Sequence, residues 1–120
     1  MRIGLLKLKA QVYCGDEPAM GPGKADLLEA IAREGSISAA GRALGMSYRK
    51  TWLLVDSMNR CWRDRLVDAR GGGGSDKGAR LTDTGKMVLA AFRTLESRLA
   101  DAVSDLGDLE SLLRDRPDRP

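Results

Sequence analysis

Apolar and polar residues change their period several times along the chain, and each change marks an element. From residue 5 to 14 the period is two. Leu6, Leu8, Ala10, Val12 and Cys14 fall on one side, and Lys7, Lys9, Gln11 and Tyr13 on the other. That alternation predicts a half-buried strand over 5–14. The stretch GDEPAMGPG, from Gly15 to Gly23, predicts a turn-rich connection. The period then lengthens. Leu27, Leu28, Ile31 and Ala32 share one side of a helix predicted over 24–34, and Gly35 stands where a left-handed C-terminal cap belongs.

Two shorter helical patterns occupy 38–62. Ser38 is a suitable N-cap for a helix over 39–44, and Ala40 and Gly41 leave room for another helix to cross closely. Gly45 suits the left-handed turn between the two, and Ser47 suits the cap of the second. Projected at ~100° per residue, the second helix divides into two faces. Tyr48, Thr51, Trp52, Val55, Met58 and Trp62 form a core side, with Asn59 placed to satisfy backbone groups near the helix end. Arg49, Lys50, Leu53, Ser57 and Arg60 form a basic, hydrogen-bonding side. Its longest side chains lie near the N-terminus, the end that reaches base edges when such a helix enters a major groove. Arg49 and Lys50 suit guanine O6 and N7, or phosphate. The pattern by itself fits an ordinary helical hairpin equally well.

Residues 65–81 read as a wing: short strands at Leu66–Arg70 and Ala79–Leu81 around the glycine-rich GGGGSDKG. That loop is not a P-loop, because Lys77 precedes Gly78 and no Ser or Thr follows. A hairpin directly after a reading helix brings Arg70, Lys77 and Arg80 towards phosphate or the minor groove; the plainer reading is a linker with incidental charge. Thr82 and Asp83 open a long helix over 82–106. Val88, Leu95, Ala102 and Leu109 recur every seven residues, interleaved with Phe92, Leu99, Leu106 and Leu113. A heptad of this kind predicts self-association through Val88, Phe92, Leu95, Leu99, Leu106 and Leu109. Gly107 weakens the helix, and 107–120 read as a helical extension with a frayed, proline-broken tail.

Composition narrows the function. The 120 residues suffice for one domain. There is no histidine, which removes the commonest general base and metal ligand and disfavours an enzyme. No cofactor motif is present. Cys14 and Cys61 form no CxxC pair, no apolar run approaches the ~20 residues of a membrane helix, and Lys7 and Lys9 interrupt any signal-peptide core. A cytoplasmic protein is expected. The net charge is +3, but its placement matters more: residues 42–86 carry ten basic and five acidic side chains, so that segment is +5 and the rest −2. Basic charge gathers where a nucleic-acid face would lie.

With the elements placed, the chain resembles the N-terminal DNA-binding region of the molybdate-responsive regulator (ModE) family, related to LysR-type domains. GSISAAGRALGMSYRKTW at 35–52, SMN at 57–59, GGGG at 71–74, LTDTG at 81–85 and the leading LLKLKAQVY carry the likeness, over about residues 5 to 106. It implies a mainly α fold with a small β-sheet: a winged helix-turn-helix over 1–106 with an N-terminal strand and a long C-terminal dimerisation helix. It also implies a homodimer, paired through its first and last helices, on a palindromic double-stranded DNA operator. Full members of the family also carry a C-terminal pair of molybdate-binding β-barrel domains, for which these 120 residues hold no positions; direct molybdate sensing is therefore not implied, and a separate effector-binding protein is a candidate partner. The alternative is a winged-helix module that binds a partner protein rather than DNA; a protein-binding face would be more apolar than Arg49, Lys50 and Arg60 allow.

Overall fold

The computed structural model describes residues 1–69 and 78–120. The N-terminal alternation does not make one strand. It makes two small hairpins: β1 (Arg2–Ile3) with β2 (Leu6–Lys7), and β3 (Val12–Cys14) with β4 (Glu17–Met20), both antiparallel. Gly15, at φ +59°, allows the two-residue turn that places Cys14 opposite Glu17. The alternation was real, since Leu6 is buried and Lys7 exposed. A period of two reports which face meets the core and says nothing about where the strand turns back. β4 thus occupies part of the expected connection, and Ala19 and Met20 in it are almost fully buried.

Helix α1 (Pro22–Glu34) starts two residues before its expected Lys24 because Pro22 sits in the first turn, where a missing N–H costs nothing. Gly35 closes it at φ +75°, donating its N–H to the Ile31 carbonyl, as the sequence predicts. Helix α2 (Ile37–Ala43) is capped by Ser36 rather than Ser38: the Ser36 hydroxyl accepts from the Ala39 N–H at 2.9 Å. The fully buried Ile37 is the first helical residue, so the cap falls one residue before it. Helix α3 (Tyr48–Cys61) follows Gly45, whose φ is +71°, and is capped by Ser47, which accepts from the Lys50 N–H at 3.1 Å. A Cβ on Gly41 would collide with the Thr51 side chain, so α2 and α3 cross at glycine-limited distance.

Strands β5 (Val67–Ala69) and β6 (Ala79–Leu81) pair antiparallel, Asp68 opposite Arg80. The pair is tied to the helices by hydrogen bonds from Ala79 N–H to the Gly35 carbonyl and from Thr82 N–H to the Leu66 carbonyl. Thr82 caps α4 (Asp83–Val103), accepting from the Gly85 N–H at 2.9 Å. The core collects Met20, Leu27, Leu28, Ile31, Ile37, Val55, Met58, Leu66, Val67 and Phe92 between these elements.

The long helix is shorter than its heptad. It stops at Val103, and bonds from the Asp105 and Leu106 N–H groups to the Ala102 and Val103 carbonyls tighten the exit. Gly107 then begins a separate six-residue helix, α5 (Gly107–Leu112). Leu106 and Leu109 are therefore not on α4, and both stand more than half exposed. Among the described residues no helix is long and apolar enough to cross a membrane.

Candidate nucleic-acid interface

Helix α3 exposes its basic side through its first two turns. Thr51, Val55 and Met58 anchor it in the core, and the Thr51 hydroxyl donates to the Ser47 carbonyl at 2.8 Å, reinforcing the cap. Arg49, Lys50 and Leu53 are consequently exposed. Neither cation forms an ion pair within the described residues. Ser47 is exposed, but its hydroxyl oxygen is engaged by the cap.

Further along α3 the same side is covered by the β3–β4 hairpin. The Ser57 hydroxyl donates to the Glu17 carboxylate at 3.0 Å. Arg60 donates to Asp56 at 2.9 Å and reaches Glu17 at 3.3 Å. The Cys61 thiol donates to Glu17 at 3.2 Å, and Trp62 Nε1 to the Ala19 carbonyl at 3.1 Å. Hydrogen bonds from Cys61 and Ser57 hold the Glu17 carboxyl below the usual carboxylate range against a smaller burial effect, and Arg60 adds to them. Burial, with the Glu17 charge behind it, pushes the Cys61 thiol up. Ser57 is thus half-buried against the hairpin and Arg60 stays exposed but engaged by Asp56 and Glu17, whereas Arg49, Lys50 and Leu53 are exposed and make no such contact among the described residues.

Tyr48 departs from the core side on which its angular position put it. It is 61% exposed, its ring tilted against that of Trp52 at a centroid distance of 6.1 Å. It stands at the head of α3 beside Arg49. An angular projection gives the direction of a side chain; it does not reveal that α3 begins at residue 48, with no preceding helical turn to cover the ring.

Asn59 behaves as its position predicts. Its side-chain carbonyl accepts from the Leu66 and Val67 N–H groups at 2.9 and 3.0 Å, and its amide donates to the Val67 carbonyl at 3.2 Å. The end of α3 is fastened to the base of the β5–β6 hairpin through this one side chain. Arg80 is exposed on β6; Arg70 and Lys77 lie outside the described residues.

The expected self-association residues separate in the same way. Phe92 is 3% exposed in the protomer's own core, and Val88 packs partly against that core. Leu95 is 39% exposed and Leu99 half-buried. Met87, Ala91 and Leu95 line one wall of an apolar groove of about 710 Å³, with Val12, Met20 and Trp62 opposite. Arg93, on another side of α4, donates to Asp26, Glu29 and Glu96, joining α4 to α1. Burial opposes its charge, but these carboxylates outweigh burial and hold it more firmly protonated than free arginine.

A capped reading helix crossing a short partner at a glycine, followed by a two-stranded hairpin and a long helix, is the arrangement of a winged helix-turn-helix. The chain belongs to the bacterial regulatory helix-turn-helix proteins of the lysR family, whose model matches residues 24–86. Its relatives include the molybdenum-pterin-binding protein MopA of Rhodobacter capsulatus, 39% identical over 74% of this chain and 34% of that protein. The molybdenum transport protein ModE of Azotobacter vinelandii is 39% identical over 68% of this chain and 30% of its own length. The DNA-binding transcriptional dual regulator ModE of Escherichia coli K12 is 32% identical over 89% and 38%. The chain thus spans about a third of the length of these relatives. In fold it is similar to the full-length LTTR LysG of Corynebacterium glutamicum with bound effector Arg, at a TM-score of 0.52 and 24% identity over 78% of this chain and 30% of that one.

Proposed function

We propose that the chain is the DNA-reading part of a transcriptional regulator, bound as a homodimer to a palindromic operator and serving molybdate- or oxyanion-linked gene control. The observation that carries the reading is the exposed, unpaired Arg49 and Lys50 on the capped head of α3, within residues that match the lysR-family helix-turn-helix model. The relatives' names supply the link to molybdenum. The family match favours DNA over a partner protein as what α3 meets. The base-reading set is Tyr48, Arg49 and Leu53, with Lys50 at its flank and Arg80 supporting it from the wing. Ser57 and Arg60 act as supports of α3 through Glu17. Pairing runs along the α4 wall of the groove, at Met87, Ala91 and Leu95. Effector sensing by another protein or chain segment would complete the regulator.

The test is selection of duplexes from a random library by the purified protein, followed by gel-shift titration. The Arg49→Ala/Lys50→Ala variant is expected to lose the selected duplex while keeping its helical circular dichroism. Undiminished affinity in that variant rules out α3 as the reader.

A further inference from the structure

Three lysines from separate parts of the chain converge beside the reading helix. Lys9 comes from the segment between β2 and β3, Lys24 from the first turn of α1, and Lys50 from the first turn of α3. All three line one hollow of about 210 Å³, and no acidic residue lines it with them. Among the described residues none of the three takes part in an ion pair. Gln11 also lines the hollow. Its side-chain carbonyl accepts from the Tyr13 hydroxyl at 2.9 Å, and its amide nitrogen lies beside Gly21 as a further donor. Gly21, Pro22 and Gly23, at the start of α1, line the hollow beside these side chains. Like charges gathered around one hollow repel, and the arrangement becomes favourable when an anion sits among them.

The position of Lys50 identifies the anion. An α-helix with its side chains is ~10–12 Å wide and a major groove ~12 Å. A helix that fills the groove therefore has backbone phosphates along both its edges. Arg49 and Leu53 are exposed on α3, while Lys50 and Leu54, one turn apart, line the hollow at its flank. We propose that the Lys9–Lys24–Lys50 hollow seats a backbone phosphate of duplex DNA, outside the base-reading face. The inference rests on the DNA-binding reading above. It extends the contact surface to Lys9, which precedes the residues 24–86 that match the helix-turn-helix model.

A phosphate contact carries no sequence information and releases counterions, at a slope of ~0.9 in log K against log salt per phosphate. Binding of the full chain to its selected duplex and to random duplex is measured across a salt series. Lys9→Gln and Lys24→Gln are each expected to weaken both duplexes by the same factor and to flatten the slope, and the double variant to lose the contact, roughly eightfold at 0.1 M salt with a slope flatter by about 0.9. Lys7→Gln, outside the hollow, keeps the parent slope. The proposal is overturned if Lys9→Gln and Lys24→Gln keep the parent slope, if Lys7→Gln flattens it equally, or if the loss is confined to the selected duplex. It is also overturned if calorimetry with inorganic phosphate alone shows binding that these variants abolish while their DNA slopes stay unchanged, because the hollow then serves a free anion. A parent protein that binds no duplex removes the DNA reading itself; a parent that binds, with variants indistinguishable from it, removes only the phosphate seat.

Discussion

Single side chains decide how the surface of α3 is used. Glu17 is the chief of these, because it collects donors from Ser57, Arg60 and Cys61 across some forty residues of sequence. Its carboxyl is held below the usual range, so its contribution to stability is complete above the unfolded carboxylate value and disappears as pH falls through the lower folded one. Glu17→Gln is therefore expected to melt below the parent at pH 7, with a gap that persists to about pH 5 and closes towards pH 3. Thermal melts of both proteins over that range check it; a gap that widens on acidification contradicts it. Tyr48 bears on recognition instead. An exposed ring at the head of a reading helix offers apolar contact to a thymine methyl. Tyr48→Ala is expected to leave the melting temperature nearly unchanged and to lose about fourfold in affinity for the selected duplex, the worth of one buried methyl. Replacing the contacted thymine by uracil should cost the parent the same factor and the variant nothing.

Elements were legible where their signals are local. Gly35, Gly45, Ser47, Thr82 and Asn59 each act within a few residues of where they stand, and each performs the role that its chemistry predicts. The distant arrangements were not legible. Nothing near Ser57 or Arg60 announces that Glu17 of β4 will bond them, because that strand lies forty residues earlier. The heptad continued past Val103 on paper because leucines keep their spacing across a backbone break. The close crossing of α2 and α3, by contrast, is written in Gly41. Gly41→Ala is expected to destabilise the fold by about 1–3 kcal/mol through overpacking, because Thr51 is held by its bond to the Ser47 carbonyl and cannot readily withdraw. Urea denaturation measures this. A midpoint equal to the parent's would mean that the helices separate without cost.

At the scale of the whole molecule, the apolar wall of α4 and the basic head of α3 are separate surfaces, so pairing and reading can be dissected. Leu95→Glu is expected to shift sedimentation towards the monomer at micromolar concentration and to weaken binding to a two-half-site duplex far more than to a single half-site. Equal losses on both would place Leu95 outside the pairing surface. Besides the shared core, the fold joins its two candidate DNA-facing parts through one polar side chain. Asn59 holds the tail of α3 to the base of the β5–β6 hairpin by three hydrogen bonds. In mechanical terms this amide is a load path. A force on the base of the hairpin would reach α3 at its tail, and eleven residues of helix, about 16 Å, would carry it to Tyr48. Under the proposed DNA reading, a change of groove width met at the hairpin would be converted into a change in the angle at which α3 meets bases.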